Sequence, residues 1–207
     1  MDQPNCDFSF LKEEIIKGLE TVSSEIEEGL RTLQNENACV LDKLENLKEQ
    51  FEQIETLAAS FYLNCYLSPF TDKYLDLSTC VQKLSHQKHG ALIVIERSIP
   101  LDSYIRQGTP IEATLSSSLL ESIFYPGNPL HDGAVLVRGS VIVSAANVLP
   151  LSEKIIVGRK IGTRHRAAIG ISELTDALAL VVSEETGTVS FAMDGKLYRI
   201  VTASSLV

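Results

Sequence analysis

The sequence predicts an α/β fold, in which a mixed central β-sheet is flanked by helices and preceded by an α-helical hairpin. Residues 9–65 contain no proline and carry apolar residues in steps of three and four, which is typical of amphipathic helices. After Ser68-Pro69, short β-branched runs alternate with helical segments, and glycines mark the turns between them. We therefore expect two units, a hairpin over residues 1–68 and an α/β domain over residues 69–207.

The hairpin is predicted from two apolar stripes separated by a polar stretch at residues 34–37. A proline pushes the preceding residue out of the α region, so the second helix is expected to end at Ser68. A lone hairpin buries little surface, and we expect its remaining apolar edge to cover the α/β domain or another subunit. The stripes are Leu11, Ile15, Leu19, Val22, Ile26, Leu30 and Leu33, then Val40, Leu44, Leu47, Phe51, Ile54, Leu57 or Ala58, Phe61 and Cys65.

The α/β domain is predicted to begin with a short helix and a buried strand. Leu77, Val81 and Leu84 share a helical face that Gly90 is expected to end, and the run ALIVIE that follows is typical of a buried strand. The later elements complete a mixed sheet covered by helices. In chain order they are a helix over 115–124, strands over 134–137 and 141–145, a helix over 167–174, and strands over 178–183, 189–193 and 197–201.

Charge and composition exclude several classes of protein. The formal net charge is -9, and residues 1–68 hold 5 Lys/Arg against 14 Asp/Glu, whereas residues 69–207 hold 13 of each. Without a basic face, we expect no binding to nucleic acid and none to an anionic membrane. The cysteines at positions 6, 39, 65 and 80 indicate neither a disulfide framework nor a structural metal, and no apolar run reaches membrane-spanning length. A soluble cytoplasmic protein is expected.

The first candidate site is the loop His131-Asp132-Gly133, which follows a Pro-Gly-Asn-Pro turn and precedes an apolar strand. The Asp132 carboxylate suits Mg²⁺ or Mn²⁺, the His131 nitrogen favours Mn²⁺ or Co²⁺, and Gly133 lets a ligand approach the backbone. An ordinary Asp-Gly turn is the alternative interpretation.

The second candidate is the segment from Gly162 to Ala168, in which Arg164, His165 and Arg166 stand where the chain enters a helix. Free backbone N–H groups, the positive helix end and two guanidinium groups would share one target, which favours a phosphate chain. A solvated basic turn is the alternative.

The third candidate is the turn Ser183-Glu184-Glu185, which closes an apolar strand and could hold a metal or orient a nucleophile. An ordinary charged turn is the alternative. No P-loop, dinucleotide-binding, nucleophile-elbow or zinc-protease motif occurs in the sequence.

Five sequence blocks, taken together, resemble the diadenylate cyclase domain. They are GALIVIE, PLHDGAVLV, LPLS, GTRHRAAIGISE and VVSEETG, in that order, and the resemblance covers roughly residues 70–200. The resemblance implies that the chain joins two ATP molecules into cyclic di-AMP with the help of a divalent cation, Mn²⁺ or Mg²⁺. It also implies a homodimer or higher homo-oligomer, because each ATP must present its 3′-hydroxyl to the α-phosphate of the other.

The resemblance implies a role for particular residues. Asp132 would be the indispensable acid, with His131 and Glu185 as further metal ligands, while Ser183 would lie near the phosphates. The general base stays unassigned. Catalytic groups are expected at Asp132, Arg164, His165 and Arg166, and nucleotide contacts at Ala91, Leu92, Gly133, Ala134, Leu149, Thr163, Arg164, Arg166, Ser183 and Glu185.

Two other functions are weighed against this one. A catalytically silent nucleotide sensor on the same fold would be expected to have lost the aspartate or the arginines, and all are retained. A phosphodiesterase built on His131-Asp132 needs further His and Asp ligands, which His86, His89 and His165 do not supply at suitable places. The family's members carry different attachments, and this chain resembles those with a short N-terminal helical pair, which is expected to regulate activity or assembly.

Overall fold

The protein is described from a computed structural model that covers residues 9–33, 40–106, 108–154 and 161–200. Two long helices precede a single seven-stranded sheet. The helices are α1 Ser9–Leu33, α2 Leu41–Leu67, α3 Tyr74–Gln87, α4 Ser117–Ile123 and α5 Thr163–Leu174, and the strands are β1 Ala91–Glu96, β2 Thr109–Thr114, β3 Ala134–Arg138, β4 Val141–Asn147, β5 Leu178–Val182, β6 Val189–Met193 and β7 Lys196–Ile200.

The sheet has the strand order β2-β4-β3-β1-β5-β6-β7. Strands β1 and β3 pair in parallel, and the other pairs are antiparallel. Strand β1 lies at the centre and is buried on both faces, which explains its continuous β-branched run. The predicted α/β fold with a mixed sheet, flanking helices and a preceding hairpin is confirmed.

The two faces of the sheet pack against different helices. One face carries Ile93, Leu180 and Phe191 and packs with α2, α3 and α4, while the opposite face carries Leu92 and Val181 and packs with α5. Side chains alternate along each strand, so every buried strand contributes to both cores. The sheet thus separates α5 from the hairpin.

The hairpin has a small core of its own. Val22, Leu47 and Ile54 are buried there, with Ile15 packed beside them. Gly18 lets the helices approach, because a Cβ at that position would lie 2.8 Å from Cγ1 of Ile54. Part of the two predicted stripes stays exposed in the single chain, namely Leu19, Ile26, Leu30, Leu33, Leu44 and Phe51.

The C-terminal half of α2 belongs to the main core rather than to the hairpin core. Ala59, Leu63 and Leu67 are buried together with the sheet residues, and Tyr198 and Ile200 of β7 pack against the same cluster. Helix α2 therefore joins the hairpin physically to the edge strand β7.

Three details differ from the sequence-based expectations. Strand β2 was not predicted; it contains Pro110, and Glu112 has a φ of 48°, so it is an irregular edge strand without apolar alternation. Helix α3 ends at Gln87, because Lys88 adopts the left-handed conformation expected of Gly90. Helix α5 begins at Thr163, four residues before the predicted start.

Other expectations concern cysteines and membrane spans. Cys65 is disulfide-bonded, a bond that the cysteine spacing did not indicate, whereas Cys80 is a free and buried thiol. Within the described ranges, no helix is both long enough and apolar enough to cross a membrane. The polar stretch at residues 34–37 and the pair at 159–160 lie outside the described residues.

Candidate active site

A cavity of about 960 Å³ opens where the start of α5, the end of β5 and the loop before β3 meet. This volume falls within the range typical of small-molecule sites. The cavity brings together residues of all three candidate loops. Its lining consists of Leu92, Asp132, Gly133, Asn147, Val148, Leu149, Leu151, Ile161, Gly162, Thr163, Arg164, His165, Ala167, Val182, Ser183, Glu184, Glu185, Thr186, Thr188, Ser190, Leu197 and Arg199.

The first turn of α5 presents free backbone N–H groups to this cavity. Gly162 is the N-cap residue and supplies no side-chain acceptor, so the first helical N–H groups remain available. Thr163 and His165 of this turn also line the cavity. A helix N-terminus of this kind binds anions.

Arg164 forms an ion pair across the cavity mouth. Its Nη1 donates to Oε2 of Glu184 at 2.7 Å, and the pair lies against the backbone at Gly90. A Cβ at position 90 would lie 2.6 Å from that Nη1 atom. The glycine before β1 therefore makes room for the guanidinium of Arg164.

Arg166 does not line the cavity, although the sequence grouped it with Arg164. Its Nε and Nη2 donate to the carbonyl oxygen of Ser152 at 3.2 and 3.0 Å. The same segment approaches α5 closely at Gly170, where a Cβ would lie 2.3 Å from the carbonyl oxygen of Pro150. Arg166 thus fixes the loop that carries Leu149 and Leu151 into the cavity.

His165 is held neutral more readily than an ordinary histidine. Burial and the adjacent Arg164 charge lower the pKa of His165, while the carboxylate of Glu185 opposes this effect. A neutral imidazole can donate one hydrogen bond and accept another. At neutral pH the His165 ring therefore offers the cavity a hydrogen-bonding group and does not add a positive charge.

The loop before β3 places Asp132 and Gly133 at the cavity wall. Gly133 has a φ of 107°, and a Cβ there would lie 2.8 Å from the carbonyl oxygen of Asn147. Only glycine fits this position. His131 lies outside the cavity lining, and its Nδ1 contacts the carbonyl oxygen of Asn128.

The donor set fits a largely hydrated cation better than a closed metal cage. Within the part of the chain that the structure describes, no three His, Cys, Asp or Glu side chains are grouped to hold a metal. Asp132 and Glu185 both line the cavity, however. Mg²⁺ and similar ions are commonly held by one or two carboxylates, with water and substrate phosphates completing the shell. The predicted three-ligand set with His131 is not assembled within one chain.

Leu92 and Leu149, which were predicted to contact the nucleotide, are among the apolar residues that line the cavity. Ala91 and Ala134 are core residues outside the lining, with 1% exposure each. The carbonyl oxygen of Ala134 accepts a 2.7 Å hydrogen bond from Nδ2 of Asn147. Asn147 was missed by the sequence analysis, although it connects β3, β4 and the backbone of Gly108.

A polar group on β6 and β7 was also missed. Ser190 and Arg199 line the cavity as neighbours across these two strands, and Thr186 and Thr188 line it from the preceding turn. Ser190 and Arg199 come together because of the pairing register of β6 and β7. Since they are nine positions apart in the sequence, no short motif could have revealed them.

Comparison with known proteins places this fold and site in one family. The family model described as "DisA bacterial checkpoint controller nucleotide-binding" matches residues 78–197, which is more than half of the chain. A second model, "Diadenylate cyclase CdaS, N-terminal", matches residues 2–70. The chain therefore belongs to the diadenylate cyclase family, whose members are nucleotide-binding enzymes.

Several relatives are similar over most of their length. The chain is 52% identical over 182 residues to "Diadenylate cyclase CdaS" of Bacillus thuringiensis, covering 88% of this chain and 90% of that protein. It is 54% identical over 173 residues to "Cyclic di-AMP synthase CdaS" of Bacillus subtilis, covering 84% and 83%.

Two solved structures share the fold. A crystal structure from Bacillus cereus, described as a hypothetical membrane spanning protein, is 50% identical with a TM-score of 0.74, covering 93% of this chain and 95% of that one. DacA from Staphylococcus aureus is 43% identical with a TM-score of 0.60, covering 64% and 88%.

Proposed function

We propose that this chain condenses two ATP molecules into cyclic di-AMP and releases two pyrophosphates. The observation that carries the proposal is that one cavity collects the Asp132-Gly133 loop, the N-terminus of α5 with Arg164, and the Ser183–Glu185 turn. Its apolar wall suits an adenine and its polar end suits a triphosphate. Relatives named as diadenylate cyclase and cyclic di-AMP synthase support the same activity. Such an enzyme would work in the cytoplasm, where ATP is available.

Each cavity residue has a role in this reaction. Leu92 and Leu149 would contact the adenine, and the α5 N–H groups with Thr163 and Arg164 would hold phosphate oxygens. Neutral His165 would donate a hydrogen bond to a phosphate. Arg166 would act indirectly, by holding the loop at Ser152, whose neighbouring residues contact the nucleotide.

Asp132 is the proposed catalytic acid, with Glu185 and Ser183 close to the reacting phosphate. A divalent cation, Mn²⁺ or Mg²⁺, would neutralise charge on the α-phosphate and make it a better electrophile when bound at these carboxylates. His131 would contribute to this site only through its second ring nitrogen, since Nδ1 contacts Asn128.

The proposed active unit is a pair of subunits. One cavity of about 960 Å³ suits one nucleotide, whereas the cyclic product contains two. Two identical cavities facing across a two-fold axis would supply each 3′-hydroxyl to the other α-phosphate by symmetry. The functional assembly would therefore be a homodimer or a higher homo-oligomer, and a monomer would be inactive.

The hairpin over residues 1–68 is the proposed regulator of the catalytic region over residues 69–207. Its exposed apolar stripe is suited to contacts between subunits, and α2 packs on β7. By holding subunits in an assembly where the cavities cannot meet, the hairpin would limit activity. The opposite role is that of a scaffold for the productive dimer. Disrupting the hairpin should raise activity per chain if the hairpin regulates, and should give an inactive monomer if it is the scaffold.

The proposed activity is tested by incubating the purified full chain with ATP and either Mn²⁺ or Mg²⁺. Chromatography should show cyclic di-AMP and pyrophosphate in a 1:2 ratio. Asp132→Asn should abolish the product, while Asp42→Asn, on the exposed first turn of α2, should retain it. ATP binding without any product in the wild-type chain would instead support the silent sensor.

A further inference from the structure

We propose that Arg199, together with Thr186 and Thr188, forms a second phosphate subsite for the terminal phosphates of ATP and the departing pyrophosphate. This inference rests on the proposed function and extends it to Arg199 and Thr188, which lie outside the five sequence blocks, and to Thr186, which lies in the fifth block but was given no role there. Arg199 lines the cavity, has no ion-pair partner among the described residues, and lies beside two hydroxyl groups.

The register of the sheet places Arg199 on the cavity side. Leu92, Val181, Ser190 and Arg199 are successive partners across β1, β5, β6 and β7. Residues directly opposite one another on antiparallel strands share a face. Because Leu92 lines the cavity at the sheet centre, Arg199 continues the same row at the edge, and it lines the cavity as well.

The positive charge of Arg199 is not neutralised by a carboxylate among the described residues. Arg164, the other arginine of the described lining, is already paired with Glu184 at 2.7 Å. Among the described residues, no carboxylate lies within 4.0 Å of the Arg199 guanidinium. Its contact there is a long one, from Nη2 to Oγ1 of Thr188 at 3.4 Å. An unpaired guanidinium at a nucleotide cavity is suited to bidentate phosphate binding.

Hydroxyl groups connect Arg199 to the predicted phosphate contact at Ser183. Oγ of Ser183 accepts from the backbone N–H of Thr186 at 3.3 Å, and Oγ1 of Thr186 donates to Oγ1 of Thr188 at 2.8 Å. Oγ1 of Thr188 thus accepts from both Thr186 and Arg199. Its own proton is left to donate, and a phosphate oxygen is the acceptor that would complete the group.

The subsite has a defined task in the reaction. The 3′-oxygen of one nucleotide bonds to the α-phosphorus of the other, its proton passes to water, and the bond from the α-phosphorus to the β-bridging oxygen breaks. The electron pair leaves with pyrophosphate. Arg199 would stabilise the charge that develops on this leaving group without contacting the nucleophile.

The test compares ligands that contain or lack terminal phosphates. Arg199→Ala should weaken binding of ATP and of inorganic pyrophosphate about 10- to 100-fold in calorimetry, since charge-assisted hydrogen bonds are lost. Binding of AMP should stay unchanged, and Arg199→Lys should restore part of the pyrophosphate affinity. Lys196→Ala removes a cation from the same strand outside the cavity lining and should change none of these values.

The outcomes separate this inference from the proposed function. Equal losses for AMP and pyrophosphate, or no loss for either in folded Arg199→Ala protein, overturn the subsite. Pyrophosphate binding that depends on Arg199 in a wild-type chain that makes no cyclic di-AMP supports the subsite and contradicts the proposed reaction. A melting temperature close to that of wild type confirms that exposed Arg199 is not needed for folding.

Discussion

Replacing Gly90 by alanine tests whether the ion pair of Arg164 and Glu184 must lie against the backbone before β1. A Cβ at position 90 would lie 2.6 Å from Nη1 of Arg164 and 2.9 Å from Oε2 of Glu184. An ordinary contact of 3.4 Å requires the guanidinium to move by about 0.8 Å. Both obstructing atoms end flexible side chains, so the backbone can stay in place.

The expected effects on stability and on catalysis differ in size. An ion pair with Glu184 largely exposed contributes less than about 1 kcal/mol, so the free energy of unfolding should change little. A displacement of about 1 Å at a phosphate-binding group can lower turnover by up to about 100-fold. For Gly90→Ala we expect kcat/KM for cyclic di-AMP formation to fall by about 10- to 100-fold.

The assay is chromatographic measurement of cyclic di-AMP at several ATP concentrations, with thermal unfolding as the test of folding. Gly29→Ala is the matched control, because among the described residues a Cβ there meets only Cγ1 of Val40, at 4.0 Å. In the double variant Gly90→Ala with Glu184→Ala, the Arg164 guanidinium gains space. The losses in kcat/KM of the two single variants, expressed as free energies, should therefore not be additive. Unchanged kcat/KM in folded Gly90→Ala protein would refute the reasoning.

Four further predictions concern other parts of the molecule. Asp132→Asn should abolish cyclisation at an unchanged melting temperature, because it removes a charge from the cavity without changing volume; normal turnover would contradict the assignment. Arg166→Ala should lower the free energy of unfolding by about 1.5 kcal/mol in denaturant titrations, since the Ser152 carbonyl loses a charged donor, and it should also lower turnover. Unchanged stability and turnover would show that Arg166 does not fix the loop at Ser152. The lowered pKa of His165 means that the unfolded chain binds its proton more readily, so stability should fall as pH drops below about 6.5, and His165→Gln should weaken that dependence in melting curves from pH 8 to pH 5. Val22→Asp buries a charge in the hairpin core and should raise activity per chain while reducing oligomer size in light scattering; an inactive monomer would instead identify the hairpin as a scaffold.

Much of the fold could be predicted from local pattern. The stripe through Val22 and the run of β1 follow from helical spacing and β-branched residues, and both elements appear in the structure. Strand β2 could not be predicted, because Pro110 and its bulge hide the strand pattern. The start of α5 was placed late, since the polar residues of its first turn look like a loop.

The site was predictable where residues are adjacent in sequence and less so elsewhere. The arginines at 164 and 166 are two positions apart, yet one lines the cavity and the other bonds to Ser152, because helical geometry turns them to different sides. Arg199 reaches the cavity only through the register of four strands. Sequence spacing carries no information about such a row.

The two edges of the sheet are protected from other strands in different ways. Strand β2 has Pro110, a bulge and charged Glu112, features that discourage pairing with a foreign strand. On β7, at the opposite edge, Tyr198 and Ile200 are packed against the core that α2 completes. A catalytic region cut after residue 66 would therefore expose an apolar strand with a free edge, and its aggregation would be mistaken for a regulated assembly. Truncations that keep α2 from residue 57 onward avoid this, because Ala59, Leu63 and Leu67 then remain in the core beside Tyr198 and Ile200.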